Sequence, residues 1–121
     1  MKTKVLLLIL FSIMMSVSVS AQFQGKKFSA NLDGIGKINL EFKEEFYELS
    51  TPAAVVVVKG NYKIEEKKIT FNDTEGPIAC QKSVNGEYEF LYKDGVLSFK
   101  VIQDACPGRK SIASAEWKEV E

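Results

Sequence analysis

The sequence contains no histidine, one arginine, one tryptophan and only two cysteines among its 121 residues. Histidine is the side chain most often used for proton transfer near neutral pH, and it is the commonest metal ligand. Its absence excludes histidine-based catalytic triads and most zinc sites. The 16 basic and 16 acidic residues balance, which gives no electrostatic attraction to nucleic acid or to acidic membranes. A chain of this length accommodates one domain of ordinary size.

The first residues have the features of a secretory signal peptide. Lys2 and Lys4 precede an almost continuous apolar run over Val5–Met15, and the small residues Val19-Ser20-Ala21 follow. This order of charge, apolar core and small-residue site predicts cleavage after Ala21. A transmembrane anchor is disfavoured, because it needs about 20 apolar residues. We therefore expect residues 22–121 to form one domain of a secreted or periplasmic protein, with 14 basic and 16 acidic residues.

The two cysteines, Cys80 and Cys106, are predicted to form a disulfide. Export places the chain in an oxidising compartment, where small domains are commonly stabilised by such bonds. A reactive thiol pair is the alternative, but it favours a close C-x-x-C spacing, and these cysteines are 26 positions apart.

In the mature chain, apolar residues mostly alternate with polar ones and turn residues recur between these runs, which predicts β-strands joined by turns. The strongest hairpin signal is Asp94-Gly95, because both central residues of a type I′ turn adopt positive φ. The three predicted hairpins pair Gly86–Tyr92 with Val96–Val101, Asn61–Ile64 with Lys68–Phe71, and Lys27–Leu32 with Lys37–Phe42.

In two stretches the spacing of the apolar residues leaves the secondary structure ambiguous. Glu41–Leu49 fits either a helix or a strand, and a strand is favoured because Ser50-Thr51-Pro52 follows closely. Val55–Val58 favours a strand that continues past a bulge at Gly60. Near the carboxyl end, we expect a helical turn over Ala105–Lys110 capped by Asp104.

The final predicted strand spans Ile112–Val120. About eight strands joined mostly by short turns leave no room for crossover helices. An all-β, eight-stranded, antiparallel up-and-down barrel removes the exposed edges that an open sheet would carry. In this topology a Cys80–Cys106 bond closes the hairpin of Gly86–Tyr92 and Val96–Val101 at its open end, which is the end far from the Asp94-Gly95 turn.

The last sixty residues resemble a known family. The resemblance rests on the segments Gly60–Ile64, Ile69–Asp73, Gly76–Cys80, Gly86–Tyr88, Gly95–Phe99, the run Asp104–Arg109 containing D-x-C-x-x-R, and Trp117. They are similar to the small exported lipocalin-like proteins of bacteria. The resemblance implies an eight-stranded calycin-type barrel with a small apolar cavity. The Gly-x-Trp that lipocalins carry near the first strand is replaced by Gly25-Lys26-Lys27, and Trp117 is a candidate to fill that position.

Alternation along the strands predicts which side chains face inward. These are Phe28, Ile38, Leu40, Phe42, Tyr62, Ile64, Ile69, Phe71, Tyr88, Phe90, Tyr92, Leu97, Phe99, Val101 and Trp117. Such a set fills most of an eight-stranded barrel, so plain core packing accounts for most of it.

Three tyrosines in that set are candidate ligand contacts. A buried hydroxyl needs a partner, and a polar group in an apolar cup orients a small ligand. The predicted ligand-binding residues are Tyr62, Tyr88, Tyr92, Phe90, Phe99, Arg109 and Trp117. Arg109 offers a planar set of donors for a ligand carboxylate. It is equally suited to pairing with Asp104 or to binding loop carbonyls beside the disulfide.

The acidic residues give weaker signals. Glu87 and Glu89 share one strand face, where paired carboxylates suit glycoside chemistry or calcium binding, although a solvated outer face explains them better. The stretch Asn72–Gly76 is predicted to be a plain turn, because it lacks the calcium-loop pattern. We therefore expect no metal, no cofactor and no catalytic residue.

Two functions follow as hypotheses. The first is non-catalytic binding of a small apolar or amphipathic ligand in the barrel mouth. The alternative is a protein-binding module or inhibitor of the cell envelope, with a solid barrel and contacts through loops such as Ser50–Ala54 and Gln81–Asn85. An enzyme using carboxylates alone is a third, less favoured hypothesis. In each case we expect a monomer that neither spans the membrane nor binds nucleic acid.

Overall fold

The computed structural model describes residues 22–121, and the predicted signal peptide lies outside the described residues. The strands are β1 (Lys27–Leu32), β2 (Gly36–Phe42), β3 (Phe46–Ser50), β4 (Val56–Glu65), β5 (Lys68–Glu75), β6 (Asn85–Lys93), β7 (Val96–Gln103) and β8 (Trp117–Val120). One helix, α1 (Pro107–Ala113), lies between β7 and β8.

The eight strands form a closed antiparallel barrel in which each strand pairs with the next and β8 returns to β1. The predicted all-β, up-and-down architecture with a short helix before the last strand is confirmed. Closure depends on a short strand, because β8 pairs with only Lys27–Ser29 on one side and with Val96 and Leu97 on the other.

The turn chemistry places the hairpins as the sequence predicts. Asp94 and Gly95 have φ values of 54° and 75°, so both occupy the left-handed region that a type I′ turn requires. The register of β4 against β5 shifts between Lys59 and Gly60, which confirms the bulge. A side chain at Gly60 would overlap the backbone of Asn72 on β5, so only glycine permits this close approach.

The ambiguous stretch Glu41–Leu49 is confirmed as β structure rather than helix. It contains the end of β2, a short turn and the start of β3. The hydrogen bond from the Lys43 N–H to the Phe46 carbonyl oxygen, 2.8 Å long, closes this turn.

The prediction of a final strand over Ile112–Val120 is wrong at its beginning. Ile112 and Ala113 belong to α1, and β8 begins only at Trp117. The helix also lies later than the expected turn over Ala105–Lys110. It starts at Pro107, whose fixed φ suits the first position of a helix.

The two ends of the barrel are filled differently. At the first, called the aromatic end, Phe23 from outside the strands lies fully buried and stacks on Phe42 with ring centroids 5.2 Å apart. Phe23 also meets Phe28, Phe90 and Tyr92 edge-on. The second, called the helix end, contains α1 and both cysteines. The buried charged side chains, Asp73, Asp104 and Arg109, lie at the helix end.

Fourteen of the fifteen residues predicted to face inward are buried or partly buried, and Val101 is the exception. Val101 is 47% exposed and lies beyond the part of β7 that pairs with β8. Within residues 22–121, no helix has the length and apolar character needed to cross a bilayer.

Candidate functional site

A disulfide joins two connections at the helix end of the barrel. Cys80 precedes β6, Cys106 follows β7, and their Cα atoms are 6.2 Å apart. The predicted Cys80–Cys106 bond is therefore confirmed, and it closes the open end of the β6–β7 hairpin. It also attaches the start of α1 to the loop that follows β5.

Arg109 projects from α1 into the barrel and pairs with Asp104. Its Nε donates to Oδ2 of Asp104 at 2.7 Å, and its Nη2 donates to Oδ1 at 2.9 Å. Nη2 also donates to the carbonyl oxygen of Val84 at 2.9 Å. Both side chains are buried, so each needs the other to offset the loss of water.

The expected helix-capping role of Asp104 is wrong in detail. The N-cap position of α1 is occupied by Cys106, which makes no side-chain capping bond. Asp104 instead accepts the Cys106 N–H at 2.9 Å through Oδ1 while it binds Arg109. Its carboxylate therefore connects the guanidinium to the disulfide.

A second carboxylate, Asp73, lies on the other side of Arg109. Its Oδ1 is 3.4 Å from Nη1 of Arg109 and accepts a hydrogen bond from the Tyr47 hydroxyl. Its Oδ2 accepts the Cys80 N–H at 2.8 Å. Asp73 is part of β5 and is buried, so the prediction that Asn72–Gly76 is a plain turn is wrong.

These groups form one buried polar chain, which we call the Arg109 cluster: Tyr47, Asp73, Arg109, Asp104 and Tyr88. The Tyr88 hydroxyl completes it by donating to Oδ2 of Asp104 at 2.5 Å. With one guanidinium and two carboxylates, the formal charge of the cluster is −1. Each aspartate also holds the N–H of one cysteine, so the cluster and the disulfide support the same two loops.

The cluster shifts the ionisation of its members. Burial, and then the neighbouring carboxylates, raise the pKa values of the Tyr47 and Tyr88 hydroxyls, which keeps both as hydrogen-bond donors. For Asp104, burial favours the neutral acid. The hydrogen bonds from Arg109, Tyr88 and the Cys106 N–H outweigh that effect and hold its pKa below the usual value.

Gly86 on β6 makes room for the pair. A Cβ atom at this position would overlap the Asp104 carboxylate and lie 2.7 Å from Nε of Arg109. A side chain at this position would therefore force the Asp104 carboxylate or the Arg109 guanidinium to move.

A small cavity of about 40 Å³ lies beside the cluster. Its walls are mostly apolar and consist of Leu40, Tyr47, Leu49, Val58, Phe71, Asp73, Ile78, Cys80, Phe99, Arg109, Ile112, Ala113 and Trp117. Ile78 is 47% exposed, so one part of the wall reaches the surface through the loop after β5.

Two residues of the cavity wall each carry a buried donor that makes no hydrogen bond. Among the described residues, Nη1 of Arg109 and Nε1 of Trp117 are the buried side-chain polar atoms without a hydrogen-bond partner. Arg109 is 7% exposed and Trp117 is 1% exposed. Nη1 of Arg109 keeps its 3.4 Å ion pair with Asp73, whereas Nε1 of Trp117 has no polar partner. An unpaired buried donor costs about 1–3 kcal/mol, so the cavity that these two residues line is suited to a hydrogen-bond acceptor.

The structure brings together some of the predicted ligand contacts and separates others. Arg109, Trp117 and Phe99 line the cavity, and Tyr88 lies behind it in the Arg109 cluster. Tyr62 and Tyr92 lie towards the aromatic end. There the Tyr62 hydroxyl donates to the Lys43 carbonyl oxygen at 2.8 Å, and the Tyr92 hydroxyl donates to Glu119. Phe90 packs against Phe23 at that end.

The paired glutamates of β6 lie away from the cavity. Glu87 forms an ion pair with Lys68 at 3.2 Å, and Glu89 is exposed. No three His, Cys, Asp or Glu side chains of residues 22–121 gather closely enough to hold a metal ion.

Two members of the cluster were missed by sequence reasoning. Asp73 follows Ile69 and Phe71 at a spacing of two, so alternation alone points it inward. The acidic neighbours and Gly76 favoured a turn instead. Tyr47 alternates with Leu49 in the same way, and the helix-or-strand ambiguity of that stretch concealed its direction.

Comparison with known proteins adds no relative to these observations. No family model, no curated protein and no solved structure matches the chain.

Proposed function

We propose that this protein is an exported, non-catalytic binder of a small amphipathic molecule that carries a neutral hydrogen-bond acceptor. The observation that carries the proposal is that Arg109 and Trp117, which line one apolar cavity, each bury a donor without a hydrogen bond, Nη1 and Nε1. Export is the expectation from the predicted signal peptide. The lipocalin-like resemblance stays a prediction and agrees with a ligand placed inside a barrel.

The charge of the site favours a neutral acceptor over an anion. Arg109 already shares two carboxylates, so the cluster carries a formal charge of −1. A ligand carboxylate would approach Asp73 as well as Arg109, and two like charges in a buried site repel strongly. A ketone, ester or ether oxygen accepts a hydrogen bond without that cost.

The size of the cavity limits what enters. Typical pockets for small molecules measure about 300–1,000 Å³, whereas this cavity measures about 40 Å³. Only a head group of a few heavy atoms fits inside. The apolar remainder of the ligand would lie along the exposed Ile78 at the surface, where its burial gains about 25 cal/mol per Å².

The test is a nuclear magnetic resonance titration with three matched probes: 2-hexanone, hexane and hexanoate. We expect 2-hexanone to shift the Trp117 Nε1–H resonance and the Arg109 side-chain resonances, with weaker effects from hexane and hexanoate. Ala113→Leu places a larger side chain on the cavity wall and should abolish the response. Leu91→Ser, on the outside of β6, is the matched control and should leave it unchanged.

The proposal fails if none of the three probes moves the Trp117 resonance. It also fails if nuclear Overhauser contacts show that ordered water alone satisfies both donors while 2-hexanone is present. Equal responses to 2-hexanone in the wild-type protein and in Ala113→Leu would place binding elsewhere and overturn the assignment of this cavity.

A further inference from the structure

We propose that the outer edge of β7 at Phe99–Val101 docks an extended peptide segment of another protein, which adds to the barrel as a strand. We call this segment the β7 free edge. The inference does not depend on a ligand in the cavity, although the Phe99 side chain also lines that cavity.

The register of the β6–β7 hairpin decides which backbone groups face outward. Lys93 and Val96 flank the two-residue turn and pair directly. In such a hairpin the flanking residues form a hydrogen-bonded pair, and hydrogen-bonded pairs then alternate with non-hydrogen-bonded ones. The backbone of Ser98 and Lys100 therefore bonds to β6, whereas the N–H and C=O groups of Phe99 and Val101 point away from it.

No strand takes up those outward groups in residues 22–121. β8 pairs with β7 only at Val96 and Leu97, because the chain enters β8 at Trp117 after the helix. The backbone hydrogen bonds that the described chain makes outside its regular elements include none to Phe99 or Val101. Two donors and two acceptors are thus left in alternation along an extended backbone.

The β7 free edge is exposed from Lys100 onward, whereas Phe99 is partly buried against the core. Lys100, Val101, Ile102 and Gln103 are all exposed, with Val101 at 47% and Ile102 at 54%. The pairing of β6 with β7 shifts next to Tyr88, where Ile102 is the additional residue. This bulge ends the regular edge, so the site accommodates one short strand.

The chemistry of the edge selects the occupant. Alternating donors and acceptors along an extended strand are matched by another extended polypeptide. A stable dimer of two copies needs about 20–30 residues on each side, and this edge provides one short segment. Lys100 lies opposite Glu89, so no unbalanced charge favours a charged partner. Val101 favours an apolar, β-branched residue beside it.

The test uses amide hydrogen exchange of the full mature chain, first alone and then with acetyl-Thr-Val-Thr-Val-Thr-Val-amide at millimolar concentration. In the free protein, we expect the Phe99 and Val101 amides to exchange at least tenfold faster than those of Ser98 and Lys100. The peptide should slow the exchange of Phe99 and Val101 at least tenfold. The same peptide with every amide nitrogen methylated should have no effect.

Val101→Pro removes one outward N–H without removing a β6–β7 hydrogen bond, and proline is tolerated at strand edges. We expect it to weaken peptide binding at least tenfold, whereas Leu91→Ser on the neighbouring strand leaves binding unchanged. Protected Phe99 and Val101 amides in the free protein, or binding that the methylated peptide reproduces, would overturn the proposal. If the Phe99 and Val101 amide resonances shift with protein concentration in the absence of peptide, the edge binds a second copy of this chain. That result would overturn the assigned partner.

Discussion

Arg109 and Asp104 are joined by two hydrogen bonds, of 2.7 and 2.9 Å, inside a barrel whose interior is otherwise mostly apolar. Asp104 belongs to the connection after β7, and Arg109 lies one helical turn further along the chain. The pair therefore determines how the start of α1 enters the barrel. Arg109 also forms an ion pair with Asp73. Asp73 accepts the Cys80 N–H, and Asp104 accepts the Cys106 N–H.

Replacing Arg109 should be strongly destabilising. Arg109→Met leaves two buried carboxylates without their cation, and removing one partner of a buried ion pair costs about 3–5 kcal/mol. Urea unfolding at pH 7 measures the loss. Lys63→Met is the control, because Lys63 forms an exposed pair with Glu65 at 3.2 Å and such pairs contribute little. Equal stability of the two variants would contradict a structural role for the cluster.

Gly86→Ala should destabilise the protein by about 1–3 kcal/mol through overpacking. The new methyl group would overlap Asp104 and crowd Arg109. Gly108→Ala is a matched control, since no atom lies within 4 Å of the Cβ position there. Thermal unfolding of both variants checks the contrast. A wild-type melting temperature for Gly86→Ala would show that the pair moves aside freely.

The double variant Cys80→Ala, Cys106→Ala should lose about 3–4 kcal/mol, as expected for a loop of this length in the chain-entropy model. Urea denaturation of the double variant and of the wild-type protein measures the difference. Alkylation of the folded wild-type protein without reductant should label neither cysteine. Complete labelling of both thiols under those conditions would refute the bond.

Acid should weaken the fold through Asp104. Its pKa is lowered in the folded protein, so its contribution to stability is present above the unfolded pKa of about 3.9 and is lost as the pH falls through the lower folded value. Urea unfolding at pH 7, 4, 3 and 2 measures this loss. Asp104→Asn should show a shallower decline, whereas Asp33→Asn in the exposed β1–β2 turn should follow the wild-type protein. Parallel declines in all three proteins would contradict the assignment.

Local patterns in the sequence were sufficient to predict the strands and most turns. Alternation over Gly86–Tyr92 and Val96–Phe99, with Asp94-Gly95 between them, specifies a hairpin because side-chain direction has a period of two and positive φ is restricted to few residues. The disulfide was predicted from the signal peptide and the two cysteines, and the hairpin topology is compatible with it. Prediction failed at Val101, which is exposed and lies near the end of β7, beyond its pairing with β8.

The Arg109 cluster could be predicted only in part. The sequence by itself determined the β-rich character, the paired cysteines and the proximity of Asp104 to Arg109, since these depend on neighbours along the chain. Only the tertiary structure decided that Tyr47 and Asp73 meet Arg109, that Tyr62 and Tyr92 lie elsewhere, and that Trp117 shares its cavity. Those relations depend on the closure of the barrel and on the point where α1 ends, which bring together residues far apart in sequence.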